Sequence, residues 1–136
     1  MTNRKNLIFA LLAAFLFASC VVEESIGVTV IEISNNSSHD LHVSFEPADY
    51  IRLELDDVDI NKNQSCSVEK IKEMTDIARD PNFSLKFVIF SSRDDSGMSV
   101  EKPAEGLFIF KSREKYTEGG EKVVYLLTIT DAMLEP

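Results

Sequence analysis

Apolar residues recurring at every second position decide what this chain can become, because that period gathers them on one face of a strand and on no single face of a helix. Leu41, Val43 and Phe45 alternate with His42, Ser44 and Glu46, and Ile51, Leu53 and Leu55 alternate with Arg52 and Glu54. Each run, 41–46 and 50–55, predicts a half-buried strand. Phe83, Leu85, Phe87 and Ile89 form one face of a strand over 83–90, whose later half is apolar on both sides through Val88 and Phe90. A run apolar on both faces predicts a central position. Leu107 to Phe110 reads as a shorter strand, and Val123 to Thr130 as a long one. In the first, Ile26 to Ser34, Val28 and Val30 hold one parity and Ile31 and Ile33 the other, a switch that points to a bulge or bend.

Punctuation between these runs is polar. Asn35-Asn36-Ser37-Ser38-His39-Asp40 predicts a turn, since asparagine tolerates positive φ and short polar side chains bond their own backbone. Ser91 to Gly97 and the 117–122 segment, with Gly119 and Gly120, predict loops. One helix is expected, capped by Ser67, carrying Val68, Ile71, Met74 and Ile77 at three-residue steps and stopped by Asp80-Pro81. Asp131 to Leu134 is expected to close the chain with a helical turn. Six or so strands without long helices between them predict a mainly β fold, an antiparallel β-sandwich or open barrel with one short helix.

Residues ahead of the first strand obey a different logic. Arg4 and Lys5 precede an unbroken apolar stretch from Leu7 to Ala18, followed by Ser19 and Cys20. That is the order of parts in a secretion signal. Twelve apolar residues fall short of the roughly twenty that a helix needs to cross ~30 Å of hydrocarbon, so no permanent span is expected. Phe17-Ala18-Ser19-Cys20 resembles the lipobox of bacterial lipoproteins, in which the cysteine thiol carries a diacylglycerol. On that resemblance, residues 1–19 are a lipoprotein signal peptide, Cys20 is the lipidated first residue of the mature chain, 20–25 is a tether, and 26–136 is one β-rich domain.

Glu23 and Glu24, close behind Cys20, resemble the export signal of Bacteroidota-type surface lipoproteins. The strand texts Val28-Thr-Val-Ile-Glu-Ile-Ser-Asn-Asn-Ser38 and Tyr125-Leu-Leu-Thr-Ile-Thr-Asp-Ala-Met-Leu134 likewise look like the small uncharacterised lipoproteins of that group. The resemblance implies an exported protein anchored to the outer membrane, on its periplasmic face or at the cell surface. It implies no activity and carries no site residues beyond the anchor.

Charge narrows the partners. The formal net charge is −9, and loss of 1–19 removes Arg4 and Lys5 while keeping every acid. Such a field repels phosphate backbones, so no nucleic-acid partner is expected, and the membrane is met through the lipid on Cys20 rather than by basic residues. With Cys20 acylated, Cys66 has no partner for an intramolecular disulfide and is expected to be buried.

Chemistry-bearing patterns are few. Asp57, Asp59, Asn61 and Asn63 fall at every second position, like the first oxygen ligands of a calcium loop. Lys62 stands where such a loop needs glycine and Val68 where it needs glutamate, so an extended segment with Val58 and Ile60 inward is the expected reading, and no metal site is predicted. His39 and His42 lack the converging partners of a zinc site. No serine lies in a glycine-flanked elbow, and Gly119-Gly120 lacks the spacing of a phosphate-binding loop. Tyr50, Tyr116 and Tyr125 are the aromatics that could join a sugar-stacking surface. No cofactor is expected. The function that follows is a non-enzymatic binding or accessory module for a protein or glycan partner, working through the loops at 35–40, 56–65 and 91–106. A structural subunit of a surface assembly, or a small hydrolase with a carboxylate pair, are the alternatives.

Overall fold

The computed structural model describes residues 27–50, 52–72, 80–116 and 120–136. The expected signal segment, Cys20, Glu23 and Glu24 lie outside the described residues. The described chain is a β-sandwich of two four-stranded sheets. Strands β1 (Gly27–Asn35), β4 (Ser65–Lys72), β7 (Ile109–Tyr116) and β8 (Gly120–Ile129) form one sheet in the order β4-β1-β8-β7. Strands β2 (Leu41–Pro47), β3 (Val58–Ile60), β5 (Leu85–Ser92) and β6 (Ser99–Pro103) form the other, in the order β3-β2-β5-β6. Neither sheet closes on itself, so the sandwich is the outcome of the two expected forms. Every pairing is antiparallel except one, since β1 runs parallel to β8 from Gly27↔Glu121 to Asn35↔Ile129.

Alternation works as expected in β2, where Leu41, Val43 and Phe45 point into the core between the sheets. Ile31 and Ile33 of β1 face them from the first sheet, with Val123, Tyr125, Leu127 and Ile129 of β8. The parity switch in β1 is not a bulge. Its register with β4 and β8 is continuous, and both parities are buried because Val28 and Val30 form a second small cluster with Val124 on the other face of the sheet. The irregularities fall elsewhere, opposite Glu46/Pro47 in the β2–β5 ladder and between Phe110 and Ser112 in β7.

The first of these sets the facing of β5. Skipping Lys86 in the ladder leaves Leu85 inward but turns Val88 and Phe90, not Phe87 and Ile89, into the core. Phe83 does not belong to the strand at all. It sits in a helical turn, α1 (Pro81–Ser84), capped by the Asp80 carboxylate, which accepts from the Asn82 backbone N–H at 2.9 Å. Asp80-Pro81 therefore starts the short helix, as a capping acid with proline in the first turn should, and the segment it was expected to stop, 73–79, lies outside the described residues.

The helix expected from Ser67 is strand β4 over its described part, with Val68 opposite Ile31 and Cys66 opposite Ile33; Met74 and Ile77 lie outside the described residues. Of the four residues at that spacing only Val68 and Ile71 fall in the described part, where two positions suit a strand as well as a helix and the ladder with β1 decides for the strand. The 52–57 segment is extended yet belongs to neither sheet. Leu53 and Leu55 are buried as their alternation predicts, but Leu53 donates its backbone N–H to Ser84 O at 3.1 Å instead of to a neighbouring strand. Strand β6 was hidden in the polar 91–106 stretch, and β7 extends well beyond Phe110 through a charged sequence that suits an edge. The chain closes in a hydrogen-bonded turn, with the Leu134 N–H shared between Thr130 O and Asp131 O.

Asn35 ends β1 with its side chain wholly buried. Its amide donates to His39 O at 2.8 Å and Ile60 O at 3.2 Å, and its Oδ1 accepts from Ser37 N at 3.1 Å and Ser37 Oγ at 2.6 Å. All four bonding positions of the amide are used. Replacing Asn35 by alanine leaves buried donors and acceptors orphaned and is expected to cost about 2–4 kcal/mol. Urea unfolding should show the midpoint falling with an unchanged slope, while Ser34→Ala, on an exposed bond to Ser65, stays within about 0.5 kcal/mol of wild type.

Candidate functional site

Strand direction sorts the loops into two ends. At the end reached by the carboxyl terminus of β1 lie 36–40, 61–64, 93–98 and the turn after β8. At the other end, where β2 finishes and β5 begins, lie 48–54 and the turn α1, and Arg52, Leu53 and Glu54 border Lys70 of β4, whose partner Thr29 is near the start of β1. We call them the distal and proximal ends.

The distal end is a polar platform whose pieces are fastened to one another. Asp40 accepts from Lys62 N at 2.9 Å through its carboxylate and from Arg93 N at 2.8 Å through its carbonyl, joining three loops at one residue. Asp131 accepts from the backbone N–H and hydroxyl of Ser38 at 2.8 and 2.9 Å, and these donors hold its carboxyl below the usual range. Asp94 folds the 92–96 turn, accepting from the Ser92 hydroxyl and from Ser96 N at 2.9 Å, and meets His39 Nδ1 at 2.8 Å. The Ser92 and Ser96 hydroxyls, then His39, drive its carboxyl far below the ordinary value.

Beside this platform, on the outer face of the second sheet, His42 of β2 stands between two acids of the edge strand region. Nδ1 lies 2.6 Å from Asp59 Oδ1 and Nε2 lies 3.2 Å from Asp57 Oδ2. Both nitrogens can donate only when the ring is protonated. Accordingly the Asp59 hydrogen bond, opposed by partial desolvation and assisted by Asp57, raises the His42 pKa, and the same bond lowers that of Asp59. Arg93 approaches Asp59 to 4.0 Å from the other side.

This arrangement disperses the four residues with calcium-loop spacing. Asp57 and Asp59 sit at opposite nitrogens of one ring, Asn61 accepts from Arg93 Nη1 at 2.8 Å, and Asn63 occupies the left-handed region at φ 62 in the β3–β4 turn. Among the described residues no group of three or more His, Cys, Asp or Glu side chains is placed to hold a metal ion. Asp59, Asp94 and Asp131 are all held toward the ionised form, the opposite of the raised carboxyl that a general acid needs. Cys66 is half-buried against the core, and desolvation raises its thiol pKa, which disfavours the reactive thiolate.

The proximal end is different in kind. Ala48, Asp49, Tyr50, Phe83, Leu85 and Lys86 line an open cleft of about 430 Å³. Tyr50 is 98% and Phe83 67% exposed, the two most exposed large apolar side chains among the described residues. Phe83 is held outward by its neighbour, since the Asn82 side chain donates to Phe108 O at 2.9 Å and accepts from Phe108 N at 3.0 Å, clamping the turn to the segment before β7. Main-chain groups under the cleft are occupied, with both Ala48 N and Leu53 N donating to Ser84 O. The sequence pattern puts Phe83 on a face of a strand over 83–90 and does not single out this end. Of the tyrosines it marked, Tyr50 is at the cleft and Tyr125 is buried between the sheets, edge-on to Phe110 at 5.9 Å, so they form no common surface; the Tyr116 side chain lies outside the described residues.

The chain matches no family model, no curated protein and no solved structure. Among the described residues, no helix is long and apolar enough to cross a membrane.

The His42 clasp has a defined pH window. Because the folded His42 pKa is raised, its contribution is complete below the ordinary imidazole value near 6.5 and is lost as pH climbs through the raised value. Because the Asp59 pKa is lowered, its share is lost only when pH falls through that depressed value. Hydrogen-exchange protection of the β3 amides should therefore pass through a plateau in mildly acidic solution and decline on both sides. In a proton NMR titration Asp59→Asn should return the His42 pKa further toward 6.5 than Asp57→Asn does, since the Asp59 bond is the shorter and stronger.

Proposed function

We propose that this protein is an exported lipoprotein, anchored to the outer membrane through a lipid on Cys20, whose β-sandwich serves as a non-enzymatic binding or accessory module presenting its distal loops to a partner. The observation that carries the reading is the distal platform itself. Three loops and the carboxy-terminal turn are fastened by side-chain-to-backbone bonds at Asp40, Ser38 and Asn35, which makes a preorganised surface that loses little entropy on contact. Binding residues concentrate on loops held by a rigid scaffold, and these are loops of that kind.

Polarity supports the same orientation. The tether enters at Gly27, the proximal start of β1, so a nine-residue strand separates the anchored end from the platform. At about 3.3 Å per residue the distal loops stand roughly 30 Å beyond the point of entry. Asp40, Asp59, Asp94, Asp95 and Asp131 there outnumber Lys62 and Arg93, which suits a partner with a basic face. The edge strand β7 is bulged and carries Lys111, Arg113, Glu114 and Lys115, features that discourage the strand-to-strand pairing a structural subunit would use.

Two measurements test this. Fed an alkyne-bearing palmitate, the native host should label the wild-type protein and leave Cys20→Ser unlabelled; labelling of both would end the lipid-anchor reading. Cross-linking in the same cells should recover a partner with the wild type, and Asp95→Lys should weaken that recovery strongly, whereas a charge change on β7, such as Lys115→Glu, should leave it unchanged.

A further inference from the structure

We propose that Tyr50 and Phe83 sit in the headgroup region of the bilayer and hold the domain upright on its membrane. The proposal rests on the lipid anchor at Cys20 and adds to it a second, non-covalent contact with the same surface.

Three observations converge on this occupant. First, the chain ahead of the described residues ends at Gly27, and Gly27 belongs to the proximal end. Strand β1 runs from Gly27 to the distal loops, and β2 returns from them to Pro47, which sets Ala48-Asp49-Tyr50 at the end where the tether enters. Seven residues, 20–26, reach at most about 25 Å when fully extended, so the proximal end is kept within that distance of the acyl chains. Second, the two most exposed large apolar side chains of the described domain are gathered there, on one cleft. Tyrosine with an apolar ring and a polar tip is suited to the boundary between headgroups and acyl chains.

Third, the cleft holds a lysine. Lys86 also lines the cleft, over the Phe87 ring at 5.6 Å, where its ammonium can meet lipid phosphates while its stem covers apolar surface. Asp49 partly offsets it, so the contact is driven by apolar burial rather than by net charge. A peptide strand is a poorer occupant, because Ser84 O already accepts from Ala48 N and Leu53 N and the cleft offers a strand little main chain to pair with.

The chain contains no tryptophan, so single-tryptophan reporters are available without background. Full-length protein would be processed and lipidated in its host, verified by mass, and reconstituted in phosphatidylcholine vesicles with or without brominated acyl chains. Tyr50→Trp and Phe83→Trp should both shift their emission to the blue. Brominated lipid should quench them about twofold or more relative to Asp95→Trp, a distal control, because an interfacial ring lies roughly 5–10 Å into the headgroup and acyl boundary. Unquenched, red emission from both proximal reporters on verified lipoprotein would overturn this proposal and leave the anchor intact. Absence of lipid on Cys20 in the mass spectrum would overturn the anchor, and this proposal with it.

Discussion

The buried amide of Asn35 is the joint on which the sandwich depends. Two sheets packed face to face need something to set their relative position at the ends, where apolar packing gives way to loops, and a fully bonded amide is directional in a way that leucine is not. The side chain ties the end of β1 in one sheet to the Ile60 carbonyl of β3 in the other, and to the His39 carbonyl of the loop between them. Its backbone adds Asn35 N to Gln64 O at 2.9 Å and Asn63 N to Asn35 O at 2.8 Å, so the β3–β4 turn is seated on the same residue. Everything at the distal end inherits its place from this junction. The Asp40, Ser38 and Arg93 contacts become possible because the loops they join arrive already aligned.

What the sequence made legible, and what it did not, follows from the range of the forces involved. Alternation in β2 and burial at Leu53, Leu55 and Ile60 could be read because each residue reports its own partition between core and water. Pairing is a relation between distant segments and leaves no such trace. Leu53 and Leu55 are buried without a strand, and Val68 is in a strand despite a helical spacing, because the partners that decide lie in Ser84 and Ile31. The bulge at Lys86 is of the same kind, since one unpaired residue flips every later side chain and the sequence of β5 is apolar enough on both faces to accept either parity.

Phe83 was the readable exception that was misread. Asp80-Pro81 is a start signal as much as a stop, and with Asp80 as cap the following three residues cannot belong to the strand. The distal platform was legible as three polar loops, and their assembly into one surface was not, because it depends on which strands neighbour one another. The spacing at Asp57, Asp59, Asn61 and Asn63 reflects the two-residue period of an extended edge: alternate side chains share a face, and there they meet His42 and Arg93 rather than a common centre.

The parallel pairing of β1 with β8 carries a consequence for how the molecule is made. Its first described strand finds its longest partner about ninety residues later, a separation that makes folding slow and leaves the first sheet incomplete until the last strand has been synthesised. Until then β1 has only β4 beside it, and the core has no lid over Leu41, Val43 and Phe45 from the β8 side. Pairing the first described strand with the last builds a delay into the topology, and through that delay the edge of β1 that β8 will cover stays open.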